Sequence, residues 1–185
     1  MSTINFATGN KYKLEVAKKA LEKTGVTVVQ KILDIPEIQS ASLEEIASFS
    51  VEYACKKLKE PVAVTDAGFF IEALNGFPGP FLKFMNHYLI AEDVLKMMKG
   101  KENRKCVFKD VLAYCEPGKK PIIFTAKANG NISLKKGKAG NTASDQIFVP
   151  DGYLVPQSEI PREEMIKFWK GNQKNWKKLA KKLTE

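Results

Sequence analysis

Three short apolar, β-branched runs alternate with two stretches of helical periodicity across the first third of this chain, and that alternation narrows its possible folds more than any other feature. Ile4-Asn5-Phe6-Ala7, Val26-Thr27-Val28-Val29 and Val62-Ala63-Val64-Thr65 read as strands. Between the first two, Leu14, Ala17 and Leu21, with Val16 and Ala20, mark one helical face, and Gly25 stands where a C-terminal cap belongs. Ser42 followed three residues later by Glu45 is a capping-box signature. It opens a helix through Ile46, Phe49, Tyr53 and Ala54 toward Lys59, and Pro61 closes it. Such alternation specifies an α/β protein whose parallel or mixed sheet is covered by helices.

Further on the pattern changes. A helix predicted around 91–99 ends at Gly100. Residues 106–115 then read as a strand, Glu116-Pro117-Gly118-Lys119 as a turn and 122–128 as a second strand, together a hairpin. The middle of the chain is therefore antiparallel and the sheet mixed. Residues 130–141, rich in Gly, Asn and Lys, read as a loop with some strand character at 132–134. At 185 residues the chain fits one domain, 1–185, with room for two lobes.

Composition excludes several classes. A hydrophobic fraction of 44% with 10% aromatic residues is too high for a disordered chain. No stretch reaches the ~18 apolar residues of a membrane span, and the N-terminal apolar run, broken by Asn5 and Asn10, does not read as a signal peptide. Cys55, Cys106 and Cys115 show neither paired nor CxxC spacing and read as reduced core thiols of a cytoplasmic protein. The net charge of +9 suits nucleic acid, an anionic small substrate or merely a lysine-rich proteome. Its densest run, Lys174, Lys177, Lys178, Lys181 and Lys182, interleaves with Trp176, Leu179 and Leu183 as the wet face of an amphipathic helix. No recognisable nucleic-acid module accompanies it, so neither nucleic acid nor membrane is an expected partner.

Two strand-to-loop transitions carry chemistry. After the first strand, Thr8-Gly9-Asn10-Lys11-Tyr12-Lys13 offers backbone N–H groups at a helix N-terminus, a natural anion site, with two lysines beside it. An Asn10 N-cap with solvated lysines explains the same residues, and the Walker A spacing is absent. After the third strand, Thr65-Asp66-Ala67-Gly68 delivers a carboxylate to the expected strand end, where α/β folds place ligands. With Glu37, in the loop Asp34-Ile35-Pro36-Glu37-Ile38-Gln39, it supplies the hard oxygen donors that Mg²⁺ shares with phosphates; Glu37 alone reads equally as a surface residue. The lone histidine, His87, lies among aromatics and reads as a packing or helix-surface residue, so Ser-His-Asp and Cys-His chemistry has no support.

Together, the TGNxxK of Thr8 to Lys13, Pro36-Glu37, Asp66 followed by Ala73-Leu74-Asn75-Gly76-Phe77-Pro78-Gly79, Asp145-Gln146-Ile147-Phe148-Val149-Pro150-Asp151-Gly152-Tyr153 and Ser158-Glu159-Ile160-Pro161 resemble the inosine triphosphate pyrophosphatases. These are the Ham1-like enzymes of non-standard purine nucleotides, and the archaeal branch is nearest. The resemblance runs almost end to end. It implies a two-lobed α/β fold with a long mixed sheet, flanking helices and a central cleft, assembled as a homodimer. It further implies Mg²⁺-dependent hydrolysis of ITP, dITP or XTP to monophosphate and pyrophosphate. Carried over by motif, Thr8, Gly9, Asn10, Lys11, Tyr12 and Lys13 would hold the triphosphate, Glu37 and Asp66 the metal, and Asp66 would be the base for water. Ala67 and Asp145 would contact substrate.

Three departures follow from the same comparison. Thr65 replaces the acid that usually precedes the catalytic aspartate. Thr142-Ala143-Ser144-Asp145 lacks the aromatic residue that stacks on the purine. The C-terminal lysine with Ser-His-Arg is missing, its region reading Met165-Ile166-Lys167-Phe168-Trp169-Lys170-Gly171-Asn172-Gln173, where Lys167, Lys170 or Asn172 could substitute and Phe168 or Trp169 could stack. The alternative is therefore a catalytically weakened relative that binds nucleotides or a protein partner.

Overall fold

β1 (Ser2–Ala7) forms because its apolar residues are also β-formers: Ile4 and Phe6 are both buried. α1 (Lys11–Ala20) buries Val16, Ala17 and Ala20 and returns the chain to β2 (Val26–Lys31), in which Val26 and Val28 face inward and Thr27 and Val29 outward. The helix stops at Leu21, so Gly25, at φ +75, serves the turn into β2 rather than the cap itself. α2 (Leu43–Leu58) is capped as the sequence predicts: Ser42 Oγ accepts the Glu45 N–H at 3.2 Å. The reciprocal half of a capping box is replaced, because the Glu45 carboxylate accepts a bond from Ser40 Oγ. The computed structural model describes residues 2–172 and 174–184.

β3 (Val62–Ile71) and a single turn of 3₁₀ helix (Glu72–Leu74) lead to β4 (Pro78–Gly79), α3 (Leu82–Tyr88) and α4 (Ala91–Met97). β5 (Lys105–Cys115) and β6 (Ile122–Ile132) are the predicted hairpin. α5 (Ala143–Ile147), β7 (Phe148–Pro150), a second 3₁₀ turn (Gln157–Glu159), α6 (Arg162–Asn172) and α7 (Lys174–Thr184) complete the chain. The strand order is β2-β1-β3-β5-β6-β7, with β4 on β3. β1 pairs in parallel with β2, from Ser2 opposite Val26 to Ala7 opposite Lys31, and with β3 at Asn5–Val62 and Phe6–Ala63. β4 on β3 and β7 on β6 are antiparallel, so the sheet is mixed. Among the described residues no helix is long and apolar enough to cross a membrane.

Two compact units divide the chain, and β3, β5 and β6 contribute residues to both. The first comprises residues up to Asp66, Asp110–Ala126 and the chain from Trp169 onward. Its core gathers Ile4, Phe6, Ala17, Val28, Ala63, Leu112, Tyr114 and, from α7, Trp176, Leu179 and Ala180. Trp176 meets Phe6 edge to face at 4.9 Å, which fixes α7 with its lysines outward. The second unit, Ala67–Lys109 and Lys127–Phe168, is built around Phe69, Phe108 and Phe148, with Phe69 stacked on Phe108 at 4.5 Å. Cys55, Cys106 and Cys115 are buried free thiols.

Two strands outrun their sequence signals. β3 does not stop at Thr65. Its parallel ladder with β1 ends at Ala63, but Phe69 and Phe70 find new partners in Gly79 and Pro78 of β4, and Phe-Phe-Ile is strongly β-forming. Gly68 permits that approach, since a Cβ there would lie 2.7 Å from the Gly79 carbonyl oxygen. Asp66 thus lies just past the end of the parallel ladder, within a continuing strand. β6 likewise runs through Gly130, Asn131 and Ile132, where β7 supplies a ladder that local composition does not announce.

Candidate active site

The loop after β1 is anchored before it can act. The Thr8 N–H donates to the Lys31 carbonyl at 3.0 Å, and Gln30 Nε2 donates to the Thr8 carbonyl at 2.8 Å, tying the loop to β2. Thr8 Oγ1 accepts the Asn10 N–H at 3.1 Å, and Asn10 Oδ1 in turn accepts the amides of Tyr12 (2.9 Å) and Lys13 (3.1 Å). Asn10 is therefore a true N-cap, and two of the first-turn amides are already satisfied. Gly9, Lys11 and Tyr12 are exposed, and a Cβ at Gly9 would meet open space. Lysines in a first turn oppose the helix dipole. Lys11 and Lys13 thus stand where they weaken α1 and where an anion would be welcome.

Lys13 joins the two motifs. It is half-buried, and its Nζ donates to the Thr65 carbonyl at 3.1 Å, across 52 positions of sequence. The phosphate-type loop and the acidic strand are thereby brought together in the first unit, with Thr65 and Asp66 half-buried. Glu37 belongs to the same unit and is exposed, in the irregular segment 32–40 between β2 and α2. Among the described residues no three His, Cys, Asp or Glu side chains gather tightly enough to enclose a metal. Glu37 and Asp66 offer hard oxygen donors, the kind that a divalent cation shares with phosphates.

One further acid belongs to this site and escapes sequence reasoning. Asp110 of β5, the strand beside β3, is half-buried, and the fully buried Asn175 of α7 donates Nδ2 to its Oδ2 at 2.6 Å. Burial pushes the Asp110 carboxyl above its ordinary range; the Lys13 ammonium and the Asn175 hydrogen bond pull the other way, and Asp66 adds to the rise. The Asp110 carboxyl thus feels the charges of both Lys13 and Asp66. The only local signal is a charge directly before Val111 and Leu112 in an apolar strand.

The second unit holds Ala67, half-buried on β3, and Asp145 in the first turn of α5. Gln157 Nε2 donates to Asp145 Oδ1 at 2.8 Å. Thr142, where the resemblance expects a stacking aromatic, caps α5 by accepting the Asp145 N–H at 3.2 Å. Ser144 is fixed by a reciprocal pair with Asn86: its N–H donates to Asn86 Oδ1, and its hydroxyl accepts from Asn86 Nδ2, both at 3.0 Å. These polar groups are occupied in holding a helix start. Of the candidate replacements at the C-terminus, Lys170 is paired with Glu22 at 3.2 Å, and Phe168 meets Tyr153 edge to face at 6.0 Å. His87 is exposed on α3, edge-on to Tyr88.

The model of the Ham1 family matches residues 4–180. A Methanopyrus kandleri protein named dITP/XTP pyrophosphatase is 43% identical over 162 residues, 88% of this chain and 86% of that one. A Methanosarcina acetivorans protein of the same name is 43% identical over 152 residues, 82% and 83% of the two chains. Among solved structures, a HAM1 protein from Coxiella burnetii superposes with a TM-score of 0.83 at 22% identity, covering 100% of this chain and 99% of that one. The Staphylococcus aureus Ham1 protein gives 0.79 at 22% identity, covering 99% and 98%.

Proposed function

The chain belongs to the Ham1 family, and on that premise we propose that it is a nucleoside triphosphate pyrophosphatase, cutting between the α and β phosphates of purine nucleotides of the dITP and XTP class. The observation that carries this reading is the Lys13–Thr65 hydrogen bond, which sets a cationic helix start against the acidic strand. Thr8, Gly9, Asn10, Lys11, Tyr12 and Lys13 hold the triphosphate, Lys13 and Lys11 through charge and the loop through its remaining backbone groups. Glu37 and Asp66 hold a divalent cation, with Mg²⁺ the choice that fits hard, uncaged oxygens. When bound, that ion supplies charge neutralisation at the phosphates.

Asp66 accepts a proton from the attacking water as its oxygen bonds to the α-phosphorus; the α–β bridging bond breaks and pyrophosphate leaves with the electron pair. The carboxylate suits this role because it sits next to Lys13's anchor at Thr65, on a strand rather than a mobile loop. Ala67 and Asp145 contact the nucleoside. With Thr142 engaged as a helix cap, base choice is broader than a stacking aromatic would allow. The chain acts as one domain, since three strands serve both units. It works in the cytoplasm as a homodimer; exposed Phe84, Tyr88 and Ile90 support an interface, and three free thiols a reducing compartment.

The test is product identification by ion-exchange chromatography after incubation with dITP, XTP, ITP, dUTP and the four ribonucleotides. Monophosphate and pyrophosphate in equal amounts, abolished by EDTA and restored by Mg²⁺, are expected. Diphosphate with orthophosphate would refute the bond assignment. Tight nucleotide binding without turnover would favour a binding protein.

A further inference from the structure

A residue outside the assigned site holds the loop after β1 by its carbonyl. β2 ends at Lys31, whose carbonyl accepts the Thr8 N–H at 3.0 Å. The Gln30 side chain, in place of a further ladder amide, then donates Nε2 to the Thr8 carbonyl at 2.8 Å. Gln30 is half-buried, and its strand is fixed to β1 by a register running from Ser2 opposite Val26 to Ala7 opposite Lys31. The donor is therefore presented from the sheet rather than from the loop. Its acceptor belongs to the peptide unit shared by Thr8 and Gly9. That unit is planar and trans, so its N–H points opposite to its carbonyl. With the carbonyl turned toward Gln30, the Gly9 N–H is turned away from it. Among the described residues this N–H has no hydrogen-bond partner; Gly9 is exposed, and the space where a Cβ would stand is open. The amides that follow are engaged, Asn10 by Thr8 Oγ1 and Tyr12 and Lys13 by Asn10 Oδ1.

We propose that Gln30 is a positioning residue that holds the Thr8–Gly9 peptide with its N–H directed at a triphosphate oxygen. This rests on the pyrophosphatase reading, which gives the loop to the triphosphate. The joint that needs holding is a glycine. Without a Cβ, Gly9 reaches backbone conformations closed to other residues, and the peptide before it can turn over. Turning over would carry the N–H away and bring the Thr8 carbonyl oxygen toward the phosphates, replacing a donor with a repelling dipole. The Gln30 bond opposes that motion before the nucleotide arrives, so less ordering is left for binding to supply. It also polarises the peptide, which strengthens the bond its N–H makes to an anion. Gln30 acts through Thr8 and Gly9, so it serves affinity rather than the chemical step.

Gln30→Met, close in shape and without a donor, tests it beside wild type, with melting curves to establish folding. KM for dITP with Mg²⁺ and Kd for inorganic tripolyphosphate should both rise by about three- to tenfold, the usual contribution of one hydrogen bond, while kcat stays within about twofold. Structural damage alone would lower kcat through the active fraction and leave KM in place. A second readout is the ¹H–¹⁵N spectrum of the full chain. Saturation with tripolyphosphate should move the Gly9 amide proton downfield in wild type and markedly less in Gln30→Met. Wild-type KM and Kd in the variant would overturn the proposal. A wild-type Gly9 amide that tripolyphosphate leaves unmoved would overturn it as well, even if Gln30→Met fails to fold. Intact hydrolysis with either of those results sinks the positioning role alone. No hydrolysis by the wild type, with tripolyphosphate binding still weakened in Gln30→Met, sinks the pyrophosphatase reading alone. Neither hydrolysis nor tripolyphosphate binding sinks both.

Discussion

Asn10 is assigned two roles that one pair of substitutions separates. Its Oδ1 accepts the amides of Tyr12 at 2.9 Å and Lys13 at 3.1 Å, and it stands in the loop assigned to the triphosphate. Asn10→Ala removes the cap at a cost of about 1 kcal/mol, and a domain of this size loses roughly 2–4 °C in Tm for each kcal/mol. Asn10→Asp keeps both hydrogen bonds, because a carboxylate oxygen accepts the same amides and suits the positive end of the helix. Its Tm should stay near that of wild type. The substitution nevertheless sets a full negative charge beside the phosphates. Asn10 is exposed, so the aqueous limit applies, and two like charges at ~4 Å repel by about 1 kcal/mol. With 1.4 kcal/mol worth about tenfold in affinity, KM should rise roughly fivefold. Melting curves and initial rates against nucleotide concentration measure the two effects separately. Wild-type KM in Asn10→Asp would remove the phosphates from this loop, and an unchanged Tm in Asn10→Ala would remove the cap.

Three other outcomes are expected. Trp176→Ala empties a fully buried site against Phe6 and should cost about 3–5 kcal/mol, seen as a large drop in Tm; a drop of a few degrees would mean α7 does not pack as described. Burial, then the neighbouring Cys55, pushes the Cys115 thiol up to about 11, so it should react with a thiol reagent at pH 8 far more slowly in the native protein than in guanidinium; equal rates would contradict its burial. The raised Asp110 carboxyl means the folded state binds that proton more tightly than the unfolded one. The resulting penalty is absent below the unfolded value of about 3.9, grows as pH rises from there toward the folded value, and is complete above it. Asp110→Asn should therefore melt higher than wild type at pH 7, with the gap closing toward pH 3; a lower Tm at pH 7 would refute that sign.

What the sequence made legible was local. The Asn10 and Ser42 caps are written in the residues they cap, and the first three strands in β-branched runs whose partners are parallel and near in order. Asp66 was legible because an acid after Val62-Ala63-Val64 interrupts an apolar strand beside a glycine. The extension of β3 past Thr65 and of β6 through Gly130-Asn131-Ile132 was not, because β4 and β7 stabilise those segments from elsewhere in the chain. Asp110 was illegible for the same reason. Its hydrogen-bond partner Asn175 lies on another element far along the chain, where no local spacing points to it. Thr142 shows a third case, in which a position expected to touch the base instead holds a helix start.

Asp66 is proposed above to take the proton from the water that splits the triphosphate. Pyrophosphate release from dITP and XTP with Mg²⁺, wild type beside Asp66→Asn, tests it most directly, with melting curves to show that the variant folds. Release by the wild type and a loss of at least about 10²-fold in kcat for the folded variant are expected, as removal of a general base requires. A folded Asp66→Asn that turns over within a few-fold of wild type would contradict it.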